Sequence, residues 1–356
     1  MIRWLLPLLA LLLLGCPGDP SAADPAADSP ALHLYIYSEY LDPQLVEAFT
    51  KETGTPVEIS LFESTEEMLA KLQHAAGTSQ YDLVVVANQS VPAMVRLELI
   101  QPLDPAKLPH RAGVDAEFKA QPYDPEDAYS VPYQWGTVGV LYDRQKHPEL
   151  TPSWNVLFDP AQQVGPFLLL DEARDQLGVA LKFLGHSANS TDPEHLKMAG
   201  RLLLEAKRSE NCLGFEGGVG GKNRVAGGLA DLAVVWNGDA YRAIQEAPEG
   251  KLAFVVPEEG SIGWCDVLVV TKEARHPDAA HAFIDFLLRP ENAAQLSAYT
   301  KYATPVGAAR ALLPEADREN AVIYPPAEVR TKLETLTDLG DELPLYDEVW
   351  TSVKAR

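Results

Sequence analysis

The stretch LHLYIYSEYLDPQLVEAFTKETGTPVEISLFEST, residues 32–65, decides the fold. Leu32 to Tyr37 alternate as a strand, after which Asp42 and Pro43 stand at N-cap and N1 positions. There a carboxylate accepts from free amides and a proline loses no hydrogen bond. Leu45, Val46 and Phe49 form an apolar stripe at helical spacing, and Gly54 provides a left-handed stop. Val57 to Phe62 is a second strand, followed by Ser64 and Glu67 at capping-box spacing ahead of Met68, Leu69 and Leu72. Strands alternating with amphipathic helices predict an α/β protein.

The same order continues along the chain. Tyr81 to Ala87 is a third, fully apolar strand; Pro166 to Leu170 leads into a helix around Arg174 to Leu184; Leu232 to Trp236 leads into one around Asp239 to Gln245. Further strands are expected at Leu252 to Val256 and Asp266 to Val270, and two helices at Ala279 to Leu288 and Asn292 to Tyr299, divided at Pro290. Ligands of α/β sheets gather beyond the carboxyl ends of strands. Here those ends carry Tyr37-Ser38-Glu39-Tyr40, Glu63-Ser64, Asn88-Gln89-Ser90, Asp171-Glu172 and Trp236-Asn237-Gly238-Asp239, without Lys or Arg. Acids beside aromatics suit a cation, because carboxylates pair with charge while aromatic faces attract it and cover apolar stems.

Lys and Arg total 29 against 51 Asp and Glu, a net charge of −22 that disfavours nucleic acid and anionic lipid as partners. Cys16, Cys212 and Cys265 are the cysteines, and no CxxC, HExxH or His/Cys cluster has metal-ligand spacing, so neither metal nor cofactor is expected. Pairing of Cys212 with Cys265 stays open. At the N-terminus, Arg3 and the apolar run Leu5 to Leu14 make residues 1–15 an export signal. Leu13-Leu14-Gly15-Cys16 is similar to a bacterial lipobox, which makes Cys16 a lipidation site; residues 16–31, rich in Pro, Ala, Asp, Ser and Gly, are then a flexible spacer. A mature chain this long predicts two lobes.

Tyr37-Ser38-Glu39-Tyr40, Phe62-Glu63-Ser64, Tyr81-Asp82-Leu83-Val84-Val85, Tyr129-Ser130-Val131-Pro132-Tyr133-Gln134-Trp135-Gly136, Asp171-Glu172-Ala173-Arg174-Asp175, Trp236-Asn237-Gly238, Trp264-Cys265-Asp266 and Thr304-Pro305 follow one another in a specific order and spacing. In this the chain resembles the periplasmic spermidine/putrescine-binding proteins of polyamine ABC importers, from Leu32 to about Arg356. The resemblance implies a type II periplasmic-binding-protein fold: two hinged lobes, each with a mixed sheet, closing on ligand. It places residues 32–137 and 265–311 in one lobe and 138–264 and 312–356 in the other, with strands crossing near Thr137 and Trp264. It also implies a ligand pocket of Tyr37, Ser38, Glu39, Tyr40, Glu172, Asp175, Trp236, Trp264, Asp266 and Tyr302. Asp266 and the Glu172/Asp175 pair would hold ammonium groups, and Tyr37, Trp236 and Trp264 would pack the stem.

The departures concern specificity. Gln89 stands where spermidine-preferring members carry a tyrosine, Leu336 where a glutamine is frequent, and a glycine-rich run, Gly217 to Gly221, where a more polar loop adds a contact. Asp239 is present as in putrescine-specific members, either as a partner for a second ammonium or as a cap of the following helix. Gly221-Lys222-Asn223 is not a P-loop ending, since Glu216 and Asn223 occupy positions that need Gly and Ser/Thr. The expected protein is a monomeric, lipid-anchored receptor at the periplasmic or cell-surface side of a membrane, partnering a polyamine and an ABC permease, and not an enzyme. The alternatives are a receptor of the same fold for another small cation or ferric ion, and an exported hydrolase using paired carboxylates.

Overall fold

The computed structural model describes residues 31–74 and 80–355; residues 1–15, Cys16 and nearly all of the expected spacer lie outside them. The strands are β1 (Leu32–Tyr37), β2 (Val57–Phe62), β3 (Leu83–Ala87), β4 (Ser130–Asp143), β5 (Phe167–Leu170), β6 (Cys212–Glu216), β7 (Leu232–Trp236), β8 (Leu252–Val255), β9 (Ser261–Val270) and β10 (Leu333–Thr335). They run in the order β2-β1-β3-β9-β4-β7-β5-β6, with β10 on β9 and β8 on β4. Parallel groups lie at the two ends, β2-β1-β3 and β7-β5-β6, and the antiparallel pair β9/β4 joins them. Each lobe therefore holds a mixed sheet.

β4 is the connecting element. Its residues Ser130 to Thr137 pair with β9, and Val138 to Asp143 pair with β7 and β8. Fourteen extended residues reach about 46 Å, enough to serve both lobes. The interior of the first lobe follows the period of two: Leu32, Leu34 and Ile36 enter one apolar cluster, and Tyr35 enters the cluster on the opposite face. In the second lobe Phe167 and Leu169 face one cluster and Leu168 the other. Leu313, Ile323 and Tyr324 pack in the first lobe's main cluster, whereas Leu336, Tyr346 and Val353 pack in the second's.

The opening unit forms as its residues dictate. Asp42 accepts from Gln44 N at 2.9 Å with Pro43 at N1 of the helix Pro43–Thr53, and Gly54 ends that helix at φ 75°. Ser64 Oγ accepts from Glu67 N at 3.2 Å, but the Glu67 carboxylate accepts from Glu63 N, one residue earlier than a capping box requires. The strand expected at Asp266 to Val270 begins at Ser261, and Pro290 opens the second of two helices, Pro277–Leu287 and Pro290–Thr300, rather than merely dividing them. Cys212 and Cys265 are free thiols in different lobes, so the open question of their pairing is answered by separation. Among the described residues no helix is long and apolar enough to cross a membrane.

Candidate functional site

Strand ends from both lobes converge on one cavity lined by acids and aromatic rings, the lining expected of a site for an organic cation. Tyr37, Ser38, Glu39 and Tyr40 follow β1, and Gln89 follows β3. Glu172 and Asp175 come from the turn after β5 and the first turn of the helix Ala173–Phe183. Trp236 closes β7, Asp239 lies in the first turn of the helix Asn237–Glu246, Trp264 and Asp266 lie on β9, and Tyr302 follows the helix Pro290–Thr300. All of these residues line the cavity, together with Glu63, Thr65, Gly218, Val219 and Leu336.

The aromatic wall is continuous. Tyr37 and Trp236 bring ring centroids to 6.5 Å across the lobes; Tyr40 meets Tyr133 at 5.2 Å and Tyr302 at 5.4 Å, both edge to face; Trp264 meets Tyr302 at 5.1 Å. Alternation along β9 places Trp264 and Asp266 on the cavity side and Cys265 in an apolar cluster behind. Close approach has backbone requirements. A Cβ on Gly238 would lie 2.5 Å from the Tyr302 ring, and one on Gly136 would collide with Asn237 Oδ1 and the Trp264 indole. Glu39 takes φ 54°, a left-handed conformation uncommon for a residue with a side chain.

Burial governs the charges. It raises Asp266 to about 8, with the nearby Asp175 adding to the rise and the Tyr40 hydroxyl opposing it. Burial likewise raises Asp175 to about 7, against the attraction of Arg174. Glu172 is held well above the usual carboxylate range by burial, then by Glu66 and Asp175. Glu172 Oε2, Asp175 Oδ1, Gln89 Oε1 and Trp264 Nε1 are buried with no hydrogen-bond partner. Three of these four atoms are acceptors. Each orphaned group costs about 1–3 kcal/mol, so the cavity favours a ligand rich in donors.

Asp239, expected either as a partner for a second ammonium or as a cap of the following helix, lines the cavity but already has protein partners. Tyr302 Oη donates to its Oδ2 at 2.9 Å, and Lys222 Nζ lies 3.5 Å from its Oδ1 and 2.7 Å from Glu39 Oε2. Arg242 adds a contact to Glu39 Oε2 at 3.0 Å. Burial raises Asp239 with Lys222 opposing, whereas for Glu39 burial is outweighed by Lys222 and Arg242, leaving it below its ordinary value. The strand ends do lack Lys and Arg, but Lys222, from a helix Gly220–Ala226 that begins at the end of the glycine-rich run Gly217 to Gly221, reaches between them. Glu63, whose Oε2 accepts from Ser38 Oγ at 3.0 Å, and Thr65, hydrogen-bonded to the Tyr37 hydroxyl at 3.0 Å, were also absent from the expected pocket. Among the described residues no group of three or more His, Cys, Asp or Glu side chains is arranged to hold a metal ion.

The model of the bacterial extracellular solute-binding proteins matches residues 44–322. The chain belongs to that family. Among its relatives in this solute-binding family is the spermidine/putrescine-binding periplasmic protein of Salmonella typhimurium, 37% identical over 100% of this chain and 99% of the relative. Another is the putrescine/agmatine-binding protein of Pseudomonas aeruginosa, 34% identical over 97% of this chain and 98% of the relative. Solved solute-binding structures share the architecture. A spermidine/putrescine ABC transporter substrate-binding protein of Streptococcus pneumoniae superposes with TM-score 0.76 at 31% identity, covering 91% of this chain and 98% of its own. The Tp0655 lipoprotein of Treponema pallidum superposes with TM-score 0.80 at 26% identity, covering 92% and 100%.

Proposed function

We propose that this solute-binding protein is the extracytoplasmic receptor of an ABC importer that captures a polyamine, putrescine and/or spermidine, between its lobes and delivers it to a membrane permease. One observation carries the reading: buried carboxyls with orphaned acceptor atoms, Glu172 Oε2 and Asp175 Oδ1, stand with Asp266 inside a cavity walled by Tyr37, Trp236 and Trp264. An ammonium group supplies the missing donors and the counter-charge, and the rings cover the methylenes between the charges. The substrates named for the Salmonella and Pseudomonas relatives support the same ligand class. No covalent step is needed; the mechanism is capture, lobe closure and release.

In this reading the lobes are residues 32–137 with 265–324 and residues 138–264 with 325–355. The later return to the second lobe, after Tyr324 rather than after Ala311, is supported by the packing of Leu313, Ile323 and Tyr324 in the first lobe's core. Residues 1–15 are removed on export, Cys16 carries the lipid, and residues 17–31 tether a monomeric receptor to the membrane surface; the lipoprotein nature of the Treponema relative supports the anchor. Calorimetric titration with putrescine, cadaverine, spermidine and spermine tests the ligand. Saturable binding of at least one at micromolar concentration or below is expected, and heat of dilution alone for all four would overturn the reading. For the anchor, Cys16→Ala should move the protein from the membrane fraction to the soluble one.

A further inference from the structure

Glu39, Glu63, Glu172, Asp175, Asp239 and Asp266 all line the cavity. Glu172 interacts with Asp175, Asp175 with Asp266, and Asp266 with Tyr302, whose hydroxyl then donates to Asp239. Beyond Asp239 the series ends on Lys222, whose ammonium lies between Asp239 of the second lobe and Glu39 of the first. Its side chain is 7% exposed, so this is an enclosed cation and not a surface arm. The two sets of acids therefore differ. Glu172 and Asp175 have orphaned acceptor atoms, whereas Asp239 and Glu39 already have a cation of the protein's own.

We propose that Lys222 is a built-in ammonium that neutralises the Asp239 side of the cavity and thereby sets the length and charge of the ligand: a short diamine is accepted and a triamine is disfavoured. This rests on the reading of the cavity as a polyamine site. A diamine spans from Asp266 to the Glu172/Asp175 pair and leaves Lys222 in place. The additional arm of a triamine runs toward Asp239, where it meets the like charge of Lys222 instead of a free carboxylate. Putrescine preference then comes from the protein's cation and not from a free Asp239 carboxylate.

Competition calorimetry with putrescine and spermidine on the wild type, Lys222→Ala, Lys222→Arg and Lys222→Met tests it. The wild type is expected to bind putrescine more tightly. Lys222→Ala, which removes charge and volume and exposes Asp239 to ligand, should raise the affinity of spermidine relative to putrescine at least tenfold. Lys222→Arg should keep the wild-type ratio within threefold. If the alanine variant fails to fold, Lys222→Met, which keeps the stem and loses the charge, must shift the ratio in the same direction. A ratio unmoved in the folded Ala or Met variant while both amines still bind would overturn the role of Lys222 alone. A wild type that binds neither amine would overturn the polyamine reading, and this inference with it.

Discussion

Asp266 lies between the two acidic groups of the second lobe and the tyrosines of the first, on the strand that both lobes share. Removing its charge leaves an enclosed ammonium without a counter-ion, a loss of roughly 3–5 kcal/mol by comparison with broken buried pairs. Asp266→Asn is therefore expected to weaken polyamine binding at least about a hundredfold, measured by calorimetry with the fold checked by circular dichroism. The raised values of Asp266, about 8, and Asp175, about 7, also make binding a proton-releasing event. With no ammonium to favour the anion, these enclosed carboxyls hold protons near pH 6, with Glu172, Tyr37, Tyr40, Tyr133 and Tyr302 facing them. Their folded values exceed the unfolded value of about 4, so the contribution of these groups to the stability of the ligand-free fold is full below pH 4 and lost as pH rises toward 8. A bound diamine, charged throughout that interval, prefers the ionised acids. Affinity should accordingly rise between pH 6 and 8, and the measured binding heat should vary with the ionisation enthalpy of the buffer; a flat profile with equal heats in different buffers would count against it.

At the scale of elements, the turn from β7 into the helix Asn237–Glu246 makes a tightly constrained contact between the lobes. Gly238→Ala would press a methyl into the Tyr302 ring and displace the hydroxyl that holds Asp239, at a cost of about 1–3 kcal/mol for overpacking. Ligand affinity should fall roughly tenfold or more, with a lower melting midpoint in the presence of ligand. Affinity equal to wild type would mean the ring yields freely. Elements with strong local period were legible in the sequence: the β1 unit with its caps, β3, β7, and the Trp264/Asp266 face of β9 follow from alternation and capping residues. β4 was harder, because Pro132, Gly136 and Gly139 interrupt a strand pattern. The fold absorbs the proline at a register shift between Pro132 and Gln134. The helix Gly220–Ala226 gave still less signal, since its composition carries no apolar stripe and its lysine acts on Glu39, 183 positions away. Pairings of that range are set by the closure of the lobes and leave no trace in local spacing.

For the whole molecule, the contacts across the cleft describe a closed form: Lys222 and Arg242 reach Glu39, Tyr302 reaches Asp239, Asn88 Nδ2 donates to Leu336 O at 3.1 Å, and Arg96 pairs with Asp338 at the rim. X-ray scattering is expected to give a smaller radius of gyration with saturating ligand than without, and superimposable curves would rule out a hinge motion. Arg96 of the rim pair is about half exposed, and pairs with an exposed partner contribute about 0–1 kcal/mol. Asp338→Asn should therefore change affinity by no more than about fivefold, and mainly through faster ligand release in stopped-flow measurements. The strand order has a further consequence for how the chain acquires its shape. β7, β8, β5 and β6 with the second half of β4 all lie between residues 138 and 255, so that sheet can assemble from one contiguous stretch. β3, at residues 83–87, has the nearby β1 on one edge, but its antiparallel partner on the other edge lies at residues 266–270. Ordering across so long a loop is entropically costly and slow. Pulse-labelling hydrogen exchange during refolding should therefore find amides of β5 and β7 protected before those of β3, so the half of the protein made first is the half completed last.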